Sequence, residues 1–382
     1  MNFSRPIVVR CVPGATRWVK QELQQLNFPI KAESPASVET YGTLADCQWL
    51  NLQLRTANSV LWQMAEFKAN HPDVLYKEAR KQPWEKYIGP DGYLSIDAFV
   101  RNEQIKDFRF ASLRLKDAIV DRMQALYSRR PNSGKEKDKS VLFLYWTNNL
   151  VQLWWDTSGE TLAKRGYRTN PWKAPLMENT AAGIIQDTAY NGKMPLVNPM
   201  CGSGTLAIEA ALMATNTAPG LFRKNFGFMH LRPYSHGEWI KQLQAARRQA
   251  VKAPYQIWAS DIQNGALRAA KSNAEEAGML RYIQFEQQDF RKVQLPKSPA
   301  VLIMNPEWGE RLGNADELTE VYSQIGDFFK QKLAGYKAYL VLGNPALGKA
   351  VGLRTNRKVP VPLSQLDGRL FEYELYAGTR KS

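Results

Sequence analysis

The sequence predicts an α/β protein in which a doubly wound, mainly parallel sheet follows an α+β region. Three observations carry this. After residue 174, short apolar runs at 195–199, 256–260, 282–286, 300–305 and 337–343 alternate with helical stretches; parallel strands buried on both faces have this texture. A glycine turn, Gly202-Ser-Gly204, succeeds the first of these runs and opens a helix. Before residue 160 the strand-like runs are separated by turns and helices, as in small open sheets. With 382 residues and 44% hydrophobic side chains, the chain can build more than one core.

In chain order, residues 6–11 are β-rich and Gly14 opens a helical stretch to about Leu26. Residues 38–41 form a short strand. Residues 45–58 are helical, with Leu50, Leu54 and Ala57 on one face. His71-Pro72, Gln82-Pro83 and a Gly89-Pro-Asp-Gly92 turn punctuate the segment from 70 to 92. Residues 93–101 alternate as a strand does. Residues 110–126 make a helix with Leu113, Ile119, Val120, Met123 and Leu126 as its apolar stripe. The charged stretch 128–139 is a loop, and 141–146 with 150–156 make a hairpin across Thr147-Asn-Asn149. A basic, proline-containing link, 164–174, leads to the parallel sheet. Residues 357–362 and 370–377, around Asp367-Gly368, form a terminal antiparallel hairpin. No internal repeat is present.

Lys plus Arg number 51 and Asp plus Glu 36, a formal net charge of +15 that runs through both halves. Such a surplus suits a polyanionic partner, nucleic acid before membrane. The three cysteines, Cys11, Cys47 and Cys201, are scattered, which fits a reducing cytoplasm and excludes a disulfide scaffold. Three histidines far from any cysteine pair make no metal site. No apolar run reaches signal-peptide or membrane-spanning length, so a cytoplasmic protein is expected.

Four constellations carry chemistry, each at the carboxyl end of an expected strand. In Leu196-Val-Asn198-Pro199-Met-Cys201-Gly202-Ser203-Gly204-Thr205, the glycines let backbone pass close to a ligand and the helix start offers free N–H groups. Ala207 stands where a dinucleotide fingerprint has its third glycine, which argues against a pyrophosphate-bearing cofactor. Asp261, after Trp258-Ala-Ser, suits a ribose diol, or equally a helix cap. It lies much further from the glycines than the ~20 residues of that fingerprint, so 217–252 is an insertion: a loop with Phe222, Phe226 and Phe228, then a helix. Asp289, in Gln287-Gln-Asp289-Phe290, is placed for an adenine ring and its amino group, or is a plain loop residue. In Asn305-Pro306-Glu307-Trp308, the Asn amide oxygen and Pro carbonyl can accept two hydrogen bonds from an exocyclic amine while the indole stacks on its base. Asn-Pro is also a common turn.

The order of the four resembles class I S-adenosylmethionine-dependent methyltransferases acting on amino groups, whose fourth motif reads Asp/Asn-Pro-Pro-aromatic. More narrowly, the chain resembles the bacterial THUMP-domain RNA methyltransferases, in particular the N-terminal half of the large-subunit rRNA guanine-N2 methyltransferase RlmL and its free-standing relatives. The matching stretches are Leu115-Lys-Asp-Ala-Ile-Val-Asp121, Asp156-Thr-Ser-Gly159, Lys164-Arg-Gly-Tyr-Arg168, Ala174-Pro-Leu-Met-Glu178, Pro199–Thr205, Ala218-Pro-Gly220 and Asn305-Pro306 with Gly309-Glu-Arg-Leu312. They cover roughly residues 10–377. The resemblance implies a Rossmann-like class I methyltransferase domain behind an α+β ferredoxin-like/THUMP region: ferredoxin-like 1–60, THUMP 61–160, linker 161–175, methyltransferase 176–382. It implies S-adenosyl-L-methionine as cofactor, held by Glu178, Asn198, Pro199, Cys201, Gly202, Ser203, Gly204, Thr205, Asp261, Asp289 and Asn305, with Glu178 near the methionine moiety. Asn305, Pro306 and Trp308 are the implied catalytic set.

Two positions depart from the family pattern. Asn198 stands for the usual Asp, and Glu307 with Trp308 for Pro-Tyr. Glu307 matters most, since the second proline fixes the backbone that presents the Pro306 carbonyl. The implied substrate is RNA, large-subunit rRNA before tRNA. Expected RNA-gripping residues are Arg101, Lys106, Arg109, Arg114, Lys116, Arg129 and Arg130, or else a solvated helix face, together with Arg165, Arg168 and Lys173 of the link. The rivals are a tRNA guanine-N2 or adenine-N6 methyltransferase, and an RNA-binding assembly factor that Glu307 has deprived of turnover.

Overall fold

The computed structural model describes residues 3–102, 105, 107–173, 175–297, 300–308, 315–363 and 366–376. In chain order these fold as β1 (Arg5–Arg10), α1 (Thr16–Gln25), β2 (Ala32–Ser34), β3 (Ser37–Gly42), α2 (Leu44–Gln53), β4 (Ser59–Lys68), α3 (Pro72–Lys81), β5 (Tyr93–Arg101), α4 (Phe108–Tyr127), β6 (Asn132–Ser133), β7 (Ser140–Thr147) and β8 (Leu150–Asp156). Then come α5 (Glu178–Gln186), β9 (Leu196–Pro199), α6 (Thr205–Ala214), α7 (His236–Gln249), β10 (Ile257–Asp261), α8 (Asn264–Glu276), β11 (Ile283–Gln287), β12 (Val301–Met304), α9 (Ala315–Lys332), β13 (Lys337–Leu342), β14 (Arg357–Pro360) and β15 (Arg369–Glu374). Two compact units result, and both are discontinuous. The first holds residues 1–11, 19–162 and 223–246; the second holds 12–18, 163–222 and 247–382.

The first unit is built on one eight-stranded sheet, in the order β2-β3-β1-β4-β8-β7-β5-β6. The small separate sheets expected from the sequence are therefore one. The strand that joins them is β4, paired antiparallel with β1 on one side and β8 on the other. The apolar period predicts a helix through to 58, but α2 stops at Gln53. Thr43 and Asp46 close a capping box at its start, and Leu54 turns extended at its end. Helix α3 is not expected from the sequence, where His71-Pro72 looks like a break. Its Pro72 sits at the first helical position behind a His71 cap; proline starts helices as well as ending them.

The Asp156-Thr-Ser-Gly159 stretch is a buried latch in this unit. The Asp156 carboxylate accepts from the N–H of Ser158 at 2.9 Å and of Gly159 at 3.2 Å. Ser158 Oγ donates to Asn51 Oδ1 and accepts from the Val60 N–H, while Asn51 donates to Thr157 Oγ1. Residues 223–246, which the sequence places as an insertion in the second half, belong to this unit too. Their Phe226 and Phe228 rings stack at 5.1 Å and both meet Trp239 of α7 edge-on.

The second unit is a seven-stranded sheet in the order β11-β10-β9-β12-β13-β15-β14. Strands β11 through β13 are parallel, and β15 and β14 close the edge antiparallel. This is the doubly wound sheet with an antiparallel edge read from the sequence. A core that includes Leu302, Met304, Tyr322, Phe329, Leu340 and Tyr373 fills one side of it.

The link is not free. Trp172 lies so close against α8 that a Cβ on Gly265 would fall 2.4 Å from its ring. Asn170 N–H donates to Asn273 Oδ1 at 3.0 Å, and Asn273 Nδ2 returns a bond to Asn170 O at 2.9 Å. The end of the link, at Asn170 and Trp172, is thus docked on α8.

Candidate cofactor and methyl-transfer site

The order of the parallel strands reverses between β9 and β12, and in open α/β sheets a ligand crevice forms outside the carboxyl ends at such a point. Three of the four sequence constellations meet there. The turn after β9 is wound through positive φ at Met200, Gly202 and Gly204, conformations that cost a residue with a side chain ~1–2 kcal/mol. The two glycines have different tasks. A Cβ at Gly202 would meet nothing within 4 Å, so its backbone borders open space. A Cβ at Gly204 would fall 3.0 Å from Ala270 Cβ. Its smallness serves the packing of α6 on α8.

Asp261, at the end of β10, reaches across to this turn. Its carboxylate accepts from Gly202 N–H at 3.0 Å and from Gln263 N–H at 2.9 Å. The long insertion therefore does not separate the two motifs in space. Asp289 also lies past a strand end, beyond β11, but its carboxylate takes the Arg291 guanidinium in a two-pronged ion pair, the closer contact at 2.6 Å. That pairing holds its pKa below the usual carboxylate range.

After β12, Asn305 Oδ1 is buried with no hydrogen-bond partner. Leaving an acceptor so costs ~1–3 kcal/mol unless a ligand supplies a donor. Close by in the chain, Glu307 is exposed, and its carbonyl accepts from Tyr322 Oη at 3.1 Å. Trp308 Nε1 donates to Val341 O at 3.2 Å. The ring lies over Gly343, where a Cβ would fall 2.6 Å from it. The indole is therefore held against the backbone just past β13. Two side-chain bonds hold the stretch that a second proline would otherwise stiffen. Residues 309–312 lie outside the described residues.

Several expected site residues are buried. Asn198 is fully buried; its amide nitrogen donates to Ile303 O at 2.9 Å, tying β9 to β12, while its Oδ1, like that of Asn305, is buried with no hydrogen-bond partner. Pro199 ends β9, and Cys201, Ser203 and Thr205 are all nearly buried within the turn. Burial and the neighbouring Asp261 push the Cys201 thiol well above its ordinary range, which makes it inert. Arg165, expected to grip RNA, is 1% exposed and shares Glu209 Oε1 with the Tyr167 hydroxyl. A guanidinium so buried cannot reach a phosphate backbone, and that assignment is corrected. Arg168 is turned inward as well, onto Glu178 and Thr205.

Of the others, Arg101, Arg129, Arg130 and Lys173 are exposed. Arg109, Arg114, Lys116 and Arg129 each pair with an acid: Asp107, Asp73, Asp117 and Asp91. Lys106 lies outside the described residues. Sequence reasoning does not single out Ile262, an apolar side chain 62% exposed directly after Asp261.

The profile of the RMKL-like methyltransferase domain matches residues 165–371. This chain belongs to that family. The RlmL ferredoxin-like domain matches 6–61 and the THUMP domain 69–141, so the RMKL-like match begins inside the link.

The chain is 34% identical over 376 residues to the "Putative RNA methyltransferase slr0064" of Synechocystis sp., covering 98% of this chain and 97% of that one. It is 35% identical to the "Ribosomal RNA large subunit methyltransferase K/L" of Syntrophotalea carbinolica, covering 95% of this chain and 52% of that one. The chain thus spans about half the length of the K/L relatives it matches. Among solved structures, "SMU.472, a putative methyltransferase complexed with SAH" aligns with TM-score 0.88 and 25% identity over both whole chains. A "possible methylase" from Clostridium difficile 630 aligns at 0.87 and 27%, over 99% of this chain and all of that one.

The RMKL-like chain is therefore a class I methyltransferase, and S-adenosylmethionine is the methyl donor of this fold. The residues fit that donor: open space at Gly202 and a carboxylate on the next strand. Among the described residues, no group of three or more His, Cys, Asp or Glu could hold a metal, and no helix is long and apolar enough to cross a membrane.

Proposed function

We propose that this protein methylates the exocyclic N2 amine of a guanine in large-subunit (23S) ribosomal RNA. The single observation that carries the reading is the buried, partnerless Oδ1 of Asn305 at the switch point of the sheet. An amine donating hydrogen to Asn305 Oδ1 and to the Pro306 carbonyl would have its lone pair turned toward the crevice. The K/L names of the half-length matches supply the rRNA direction, and the THUMP match supplies RNA as partner.

Asp261 and Asp289 would hold the ribose and adenine of S-adenosylmethionine, with Gly202 and its neighbours along the methionine side. That cofactor supplies an activated methyl group, so the protein's task is positioning and exclusion of water. Trp308, held by Val341 and Gly343, would stack on a base swung out of its helix. Arg101, Arg109, Arg114, Lys116 and Lys173 would meet RNA phosphates, the paired ones after exchanging an acid for a phosphate.

The test is transfer of tritiated methyl to ribosomal RNA from cells lacking the gene, with the product base identified by mass spectrometry. N2-methylguanine in 23S rRNA, lost with Asn305→Ala, is the expected result. Label only in tRNA, or only on adenine N6, would replace the substrate assignment; no label in any RNA would favour an assembly role.

A further inference from the structure

We propose that Arg168 reads the carboxylate of the α-amino-acid end of S-adenosylmethionine, beside Glu178, which the family resemblance already places near the methionine moiety and whose carboxylate faces the ammonium. The inference rests on the cofactor assignment proposed for Asp261 and Asp289.

Strand order fixes which way the cofactor runs. Adenine and ribose lie over β11 and β10, at Asp289 and Asp261, and the methyl must face Asn305 beyond β12. The amino-acid tail is left to run toward the starts of α5 and α6. Glu178 is the first residue of α5 and Thr205 the first of α6. Arg168 binds both: its Nη2 lies 3.3 Å from Glu178 Oε2 and 3.2 Å from Thr205 Oγ1, and it also donates to the Leu176 carbonyl. One guanidinium therefore joins the link, the start of α5 and the end of the glycine turn.

The pair has capacity to spare. Arg168 Nε is buried with no hydrogen-bond partner. Glu178 is 4% exposed, and burial raises its pKa although Arg168 opposes the rise. A buried carboxylate held by one long ion pair and its own backbone N–H, with Arg165 adding only a through-space charge, is only partly compensated. A zwitterion set against the pair adds one charge of each sign and leaves the cluster neutral. It offers Nε an acceptor and Glu178 a second cation. An RNA phosphate would add negative charge alone, and would have to displace Glu178 to reach a side chain 14% exposed.

Two ligands separate the readings. S-adenosylhomocysteine carries the amino-acid tail; 5′-methylthioadenosine has the same adenine, ribose and sulfur without it. Calorimetry on the full chain should show wild type preferring S-adenosylhomocysteine. Arg168→Gln should weaken S-adenosylhomocysteine about tenfold or more, the scale of a lost charge-assisted bond, and leave 5′-methylthioadenosine within about twofold. Retained 5′-methylthioadenosine binding also reports that the variant is folded, and Arg168→Lys should fall between. An equal loss for both ligands would make Arg168 a support of the fold and overturn the proposal. Unchanged S-adenosylhomocysteine binding with weakened RNA binding would return the residue to the RNA surface. Wild type binding neither ligand would defeat the cofactor assignment itself, a result distinct from either.

Discussion

At the scale of single residues, the crevice divides into groups that await a ligand and groups that brace it. Asn305 belongs to the first. Asn305→Ala is expected to abolish methyl transfer while cofactor affinity, read by calorimetry, stays within about twofold of wild type, because its proposed role is to position the amine and not the donor. Asp261 belongs to both. Asp261→Ala removes the proposed ribose partner and leaves the Gly202 and Gln263 N–H groups without their acceptor. It should weaken cofactor binding about tenfold or more, from ~1.5–3 kcal/mol for a hydrogen bond to a charged group. Unchanged affinity in a folded Asp261→Ala protein would remove it from the site. Both residues are legible in the sequence because each comes directly after an apolar strand, where local order is enough. Arg165 and Arg168 are not: a basic, proline-containing stretch looks the same whether its cations face water or a buried glutamate, and only the fold brings Glu209 and Glu178 to them. Asn198 is legible as part of the motif, but its pull on Ile303 is not, since β9 and β12 are far apart in sequence.

At the scale of elements, the two glycines of the turn after β9 should behave differently. Gly204→Ala meets both a positive φ and Ala270, so a loss of ~1–3 kcal/mol in a denaturant melt is expected. Gly202→Ala has room for its methyl; beyond a ~1–2 kcal/mol strain it should be seen mainly as weaker cofactor binding. Equal melts with intact binding for both would mean that the turn is only a turn. In the eight-stranded sheet the latch after β8 gives a pH signature. Burial pushes Asp156 up to about 6, against the opposing charge of Arg10. A carboxyl raised in the folded state favours folding when protonated. Its contribution is present below the unfolded value near ~4 and is lost as pH rises through about 6. Asp156→Asn keeps an acceptor for Ser158 and Gly159, so it should flatten that decline and gain up to ~3 kcal/mol at pH 8. A variant whose stability falls between pH 4 and 7 as wild type's does would clear Asp156 of the effect. Strand β5 is legible from alternation, and β7 and β8 as strand-sized apolar runs on either side of Thr147-Asn-Asn149. Strand β4 is not, because Leu50 through Ala57 continues a helical period that Leu54 breaks only by its backbone.

For the whole molecule, the +15 charge predicts RNA binding that weakens steeply with salt, by about tenfold or more between 50 and 200 mM. A flat salt response in filter binding would mean that phosphate contacts matter little. Charge is readable from composition, as is the α/β class from the spacing of apolar runs. The grouping of distant segments is not, because no local pattern says that Phe226, Phe228 and Trp239 pack with residues from the first half. That grouping bears on how the polypeptide is made. Domains commonly fold as they leave the ribosome, the N-terminal one first. Here residues 19–162 lack their 223–246 segment until late in synthesis, by which time the turn at 200–204 has already emerged. Nascent chains arrested at residue 200 should therefore remain open to protease across β1–β8, and chains arrested beyond residue 290 should resist it. Vectorial, domain-by-domain maturation gives way to an interleaved one, with neither half a separable product of translation.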